Sequence, residues 1–166
     1  MVRPRLSEFF DAVFAGRLRF SLPLGAEARA LVRAGHLDCW KCGVQTRIIT
    51  GIDISVGPYE LPFSVPRFDQ HLEVFDTVWR RMPERLGIGA ITPRFSRTQA
   101  RAYLSNGCAH CGALIGEFHE HEAWHDQEVV SEFAIVIDER WRAAIRDHDG
   151  YGDRWGVYAF PRSQGA

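Results

Sequence analysis

Lysine is almost missing from this chain: Lys41 is the only one among 20 basic side chains, and the rest are arginine. That scarcity bears on catalysis. Restriction-type nuclease cores use a carboxylate followed by D/E-x-K to hold Mg²⁺ and position water. Here the residue two places before the lone lysine is Cys39, so that chemistry lacks its lysine. Long apolar runs are missing too. No stretch approaches the roughly eighteen uncharged apolar residues needed to cross a bilayer, and no membrane association is expected. The first twenty residues, MVRPRLSEFFDAVFAGRLRF, interleave charges with apolar side chains and lack the core of a secretory signal. A cytoplasmic location is the expectation, and there thiols stay reduced and a disulfide framework is not expected. The net charge is only −1, so the chain is no polycation, and any nucleic-acid contact needs a local patch. Internal repeats, low-complexity tracts and dividing linkers are absent as well.

What is present suits one soluble domain. The 166 residues are 46% hydrophobic and 25% charged, enough for one hydrophobic core and too few for two large ones. The pattern predicts a single α+β domain over 1–166. Leu6, Phe9, Phe10, Val13 and Phe14 recur at helical spacing and Gly16 offers a stop. A second short helix is expected over 26–34, with Ala28, Leu31 and Val32 inward and Gly35 ending it. RIITGIDISV reads as a strand because Ile52, Ile54 and Val56 alternate with Asp53 and Ser55. Pro58, Pro62 and Pro66 mark an extended connection. A third helix is expected with Leu72, Phe75, Trp79 and Met82 on one side, capped by Asp69 and closed by Pro83. Strands are predicted over 88–95, 100–106 and 112–118, and a buried strand at VVSEFAIVID. A short helix around Trp141, Ala144 and Ile145, a GYGD turn and a last strand, WGVYAF, complete the expectation.

Four cysteines stand in two pairs, Cys39-Trp40-Lys41-Cys42-Gly43 and Cys108-Ala109-His110-Cys111-Gly112. Two intervening residues let both sulfurs of a pair reach one ion at about 2.3 Å. The glycine after each second cysteine permits a left-handed turn that aims backbone N–H groups at the thiolates. Four thiolates around a divalent cation carry a net charge near −2, which those dipoles offset. Cys39, Cys42, Cys108 and Cys111 are therefore the expected ligands of one structural zinc ion per chain. Iron held as in rubredoxin uses the same geometry. Neither pair opens a helix after a strand, so a thioredoxin-type redox role is not expected. The expected fold is a zinc-ribbon-like antiparallel sheet with flanking helices. Its half-sites lie at 39–43 and 108–112, with a long insertion, 44–107, between them. That gap far exceeds the usual fifteen to twenty residues. Closure cost rises only logarithmically with loop length, so one shared site remains affordable if the strand from Arg47 pairs with the strand near Tyr103.

The stretch RFSRTQARAYLSNGCAHCGALIGEFH, Arg94 to His119, resembles the second half-site of a group of bacterial zinc-ribbon proteins. Their pattern runs S-x-T, a Tyr-rich strand, then N-x-C-P-H-C-G-A-x-x-G-D-F. Ser96, Thr98, Tyr103, Asn106, Cys108, His110, Cys111, Gly112, Ala113, Gly116 and Phe118 match it, while Ala109 and Glu117 replace the usual Pro and Asp. CWKCG is similar to the group's first half-site. Some of these proteins are loosely likened to CoiA-type competence factors. The resemblance implies that the two distant pairs share an ion, and it implies no activity.

Two further patterns bear on function. His121-Glu122-Ala123-Trp124-His125 fits the HExxH formula of zinc peptidases, which needs a helix to present both imidazoles and the glutamate. Asp126 and Gln127 follow where that helix normally stays apolar, and no strong third ligand stands out, Glu139 being a candidate by distance alone. His119, His121 and His125 are candidates for a second metal or a pH-sensitive patch. Arg94, Arg97 and Arg101, interleaved with Phe95 and Tyr103, are candidate contacts to phosphates and bases of single-stranded nucleic acid. Arg80, Arg81 and Arg85 read as the polar side of the third helix. The expected function is a zinc-stabilised, non-enzymatic binding protein for a protein or single-stranded nucleic acid partner. The alternative is a metal-dependent hydrolase using the His119–His125 cluster.

Overall fold

In the computed structural model, which describes residues 24–56, 59–82 and 86–155, the first element is a strand, β1 (Glu27–Asp38). Ala28, Ala30, Val32 and Ala34 are buried in alternation with more exposed neighbours, a period of two that a helix cannot use. The helix expected over 26–34 is thus overturned. Its four alanines favour a helix locally, but long-range pairing on both flanks of β1 decides the outcome. On one side β1 pairs antiparallel with β2 (Gln45–Val56), Val32 facing Ile52. On the other lies antiparallel β7 (Glu128–Val136), Ala30 facing Phe133. β3 (Tyr59–Phe63) completes the sheet as a hairpin partner of β2, giving the order β3-β2-β1-β7. Pro62 lies in this edge strand, where a missing N–H is tolerated.

A second sheet, β4-β5-β6, is built from β4 (Thr92–Ser96), β5 (Arg101–Gly107) and the two-residue β6 (Leu114–Ile115). These agree in place with the strands expected near 88–95, 100–106 and 112–118, although the last stops early. The expected pairing between the strand from Arg47 and the one near Tyr103 does not form, since β2 and β5 belong to different sheets.

Three helices are described: α1 (Leu72–Trp79), the single turn α2 (Glu117–Glu120) and α3 (Glu139–Trp155). α1 buries Val74, Phe75 and Val78, while Leu72 is exposed. Asp69 does not cap it. His71 occupies that position, and Asp69 Oδ1 instead accepts the Leu104 N–H at 2.9 Å, tying the α1 entry to β5. α3 is longer than expected and runs through the GYGD stretch, so no turn forms there. β7 corrects another expectation: it is an edge strand with most side chains at least partly exposed. The helix predicted over Leu6–Phe14, the proline at 83, Arg85 and most of the WGVYAF strand lie outside the described residues.

The main core sits between the first sheet and α1 and α3. Ile52, Ile54, Phe63, Phe68, Phe75, Val78, Trp141 and Ile145 are all buried there. Phe68 stacks on Phe63 at 5.2 Å and meets the edge of Trp141 at 6.4 Å. A second, smaller core joins Leu37, Ile48, Ala113, Ile115 and Ala123 to Cys39 and Cys108. This small core carries the site.

Candidate metal centre

The two cysteine pairs occupy matching turns. Cys39 lies just past the end of β1, and the turn to β2 is closed by Gly43 N–H donating to the Cys39 carbonyl (2.8 Å) and Cys39 N–H to the Val44 carbonyl (3.0 Å). Between β5 and β6 the same pair recurs, from Gly112 to Cys108 (2.9 Å) and from Cys108 to Ala113 (2.9 Å). Both glycines adopt φ near +68°, Gly43 at +69° and Gly112 at +67°, where a Cβ is strained. Each turn buries its first cysteine, Cys39 or Cys108, and exposes its second, Cys42 or Cys111.

The four sulfurs lie within 4.8 Å of one another. Across the turns, Cys39 Sγ is 3.7 Å from Cys111 Sγ and Cys42 Sγ is 3.8 Å from Cys108 Sγ. Sulfurs at tetrahedral corners about 2.3 Å from one ion stand about 3.8 Å apart. The quartet is therefore spaced to hold one metal ion. Without an ion, such crowded thiols cannot ionise independently. Burial opposes ionisation of Cys108, but N–H donors from Cys111 and His110 and the thiols of Cys39 and Cys111 outweigh it, bringing its pKa to about 6. Cys42 is pushed up to about 11. The Val44 N–H favours its thiolate, but desolvation and the three neighbouring sulfurs win. A divalent cation removes that conflict by favouring all four thiolates together.

The two turns are held together by backbone-directed side chains rather than by a shared sheet. Asn106, buried near the end of β5, presents its amide to β2 as a surrogate strand: Oδ1 accepts the Ile49 N–H (3.1 Å), and Nδ2 donates to the Ile49 carbonyl (2.9 Å). Nδ2 also donates to Glu120 Oε1 at 2.8 Å. The Ala109 N–H donates to Thr46 Oγ1 at 3.0 Å. Each turn also clasps the strand leaving the other. Trp40 Nε1 donates to the Leu114 carbonyl at 2.8 Å, and His110 Nε2 donates to the Gln45 carbonyl at 3.1 Å. The ends of the long insertion thus meet through five hydrogen bonds from side chains or to them. Spacing alone does not reveal these residues. The signals available were the half-site patterns themselves, in which Asn106 and His110 match the second half-site and Trp40 lies within CWKCG.

The remaining candidates do not converge. Among the described residues, the cysteine quartet is the one group of three or more His, Cys, Asp or Glu ligand atoms close enough for an ion. His119 Nδ1 lies 3.4 Å from Glu122, a pair with no third ligand. The HExxH residues fall on a short 3₁₀ turn, His121–Trp124, rather than a regular helix, and Ala123 is buried beneath it. That turn is fixed to β1. Asp126 accepts the His36 N–H (3.1 Å) and pairs with His36 Nδ1 (3.0 Å), which lowers the Asp126 pKa, chiefly through the backbone bond.

Among the arginines, Arg94 is turned inward. Its Nη1 donates to the Ser105 carbonyl and its Nη2 to that of Ala90, both at 2.8 Å. Arg101 bonds Gln99 (3.1 Å), faces Asp69 at 3.7 Å and lies over the Tyr103 ring at 5.2 Å. Arg97 is exposed. Tyr103 is buried, so its ring is not a platform for a base. Arg81 donates to the Ala134 carbonyl at 2.6 Å, over the Phe133 ring.

Compared with protein-family models, with curated proteins and with solved structures, the chain matches none.

Proposed function

We propose that this chain is a zinc-stabilised, non-enzymatic module that binds a protein partner, its two cysteine turns acting as the half-sites of a zinc ribbon split by the insertion 44–107. The observation that carries this reading is the donor set. Four thiolates fill every position of a tetrahedral ion, so a bound zinc has no open position for water or substrate, and its role is structural. Soft sulfur donors favour zinc over magnesium or calcium. The hydrolase alternative would need a second ion at His119, His121 and His125, whose ligand atoms do not gather into a site with each other or with nearby carboxylates.

A protein partner is preferred over nucleic acid because Arg94 and Arg101 are engaged within the fold. Of the three arginines in the expected basic patch, Arg94 is turned inward, Arg101 is exposed but shared with Asp69 and Gln99, and Arg97 is exposed. Elemental analysis of the purified chain tests the reading. One zinc per chain, lost in Cys42→Ser and in Cys108→Ser alike, is expected. Two ions per chain, or one that survives either substitution, would contradict it.

A further inference from the structure

The segment 117–128, EFHEHEAWHDQE, holds five carboxylates and neither lysine nor arginine. Glu120 is turned inward to Asn106, and Glu128 pairs with Arg47. Glu117, Glu122 and Asp126 remain on the outside, beside Gln99, His119 and His36 rather than beside a permanent cation. Between them runs an aromatic stripe. Phe118 is 76% exposed and Trp124 is 55% exposed, and both rings meet His121 edge-on, at 5.3 and 6.4 Å between centroids.

These side chains stand at i, i+3 and i+6, on the outer side of a turn whose inner residues, Glu120 and Ala123, are buried. The ledge is rigid. The Ala123 carbonyl sits so close to Gly35 that a Cβ there would approach within 1.9 Å, and Asp126 is pinned to His36. Large aromatic side chains held in water on a fixed support favour an occupant that covers them.

We propose that this ledge docks a basic segment of a partner protein, one whose arginine side chains lie over Phe118 and Trp124 while pairing with Glu117 and Glu122. The inference deepens the protein-binding reading above and rests on it. A guanidinium stacks on an aromatic face and forks onto a carboxylate at once, and this surface offers both in one place. Phosphates meet repulsion from the same carboxylates, so nucleic acid is the wrong occupant here.

The test uses the full, metal-loaded chain and a fluorescent oligoarginine peptide, with anisotropy read at low and moderate salt. Saturable one-to-one binding is expected. The double variant Phe118→Ala/Trp124→Ala keeps every charge and should weaken binding by about tenfold or more. Glu117→Gln/Glu122→Gln should weaken it similarly and flatten its salt dependence. Unchanged affinity in the aromatic variant would reduce the ledge to a diffuse acidic surface and overturn the proposal. So would an absence of saturation at low salt, stronger binding of an oligothymidylate, or self-association of the chain that the aromatic variant abolishes. Metal content measured on the same samples separates the two claims. One zinc per chain without peptide binding refutes the ledge alone, whereas two ions per chain refute the reading beneath it.

Discussion

At the scale of single residues, the four cysteines that gather were legible, and the contacts that bring them together were not. A CxxCG turn is a local device, so Cys39, Cys42, Cys108 and Cys111 declare themselves by spacing. Asn106 does its work on Ile49, which lies in a different sheet, and only the folded chain brings the two together. Asn106→Ala leaves the Ile49 N–H and C=O and the Glu120 carboxyl without that amide in a buried site. The expected loss is about 3 kcal/mol, a large share of a typical net stability, and urea unfolding would measure it. A loss of a few tenths would mean that Asn106 is not a tie between the sheets.

Glu120 adds a pH term. Burial pushes its pKa from 4.5 up to about 7; the Asn106 bond opposes this and the Glu117 charge adds to it. The protonated form is favoured in the folded state, so its contribution is complete below about pH 4.5 and is lost as pH rises through about 7. A metal ion held by the four thiolates would act in the opposite sense, because protons displace a metal from thiolates as pH falls. Comparing Glu120→Gln with the parent at matched zinc content isolates the carboxyl. The variant should gain stability relative to the parent from about pH 4.5 to about pH 7, by up to about 3 kcal/mol over the whole titration, with no further change at higher pH. A difference that does not change with pH would refute the assignment.

At the scale of elements, the strands whose apolar residues alternate were readable, and β2 lies where its isoleucines put it. β1 was not. Its alanines and flanking charges fit a helix as well as a strand, and the choice is made by β2 and β7 on either side. α3 outran its expectation for a related reason: two glycines in GYGD signal a turn locally, yet the helix continues through them. β7 was read as buried from its β-branched composition, which does not distinguish an edge from an interior strand. The docking of the 117–127 segment on β1 is an element-scale claim with a sharp test at Gly35. There a methyl group would collide with the Ala123 carbonyl, whereas a purely conformational effect of alanine in a strand would be mildly favourable. Gly35→Ala should destabilise the chain by about 2 kcal/mol or more in denaturant unfolding. A neutral or stabilising outcome would show that the ledge does not rest on β1.

At the scale of the whole molecule, the described residues form two cores. The larger, between the first sheet and helices α1 and α3, holds none of the four cysteines. The smaller is built around Cys39 and Cys108 and connects the first sheet to the second. The α+β class and the gathering of the two cysteine pairs were expected. The division into two sheets was not, because nothing local says that a strand pairs elsewhere. The site therefore acts as a joint. It ties residues near 39 to residues near 111, closing the excursion between them, and side-chain bonds from Trp40, Asn106 and His110 reinforce the closure.

X-ray absorption at the zinc edge, on protein purified without added metal, tests that joint most directly. Four sulfur neighbours at about 2.3 Å, with no nitrogen or oxygen in the first coordination sphere, are what this account expects. An ion bound through two sulfurs with imidazole or water completing its sphere would contradict it, because the two turns would then not be closing on the same atom.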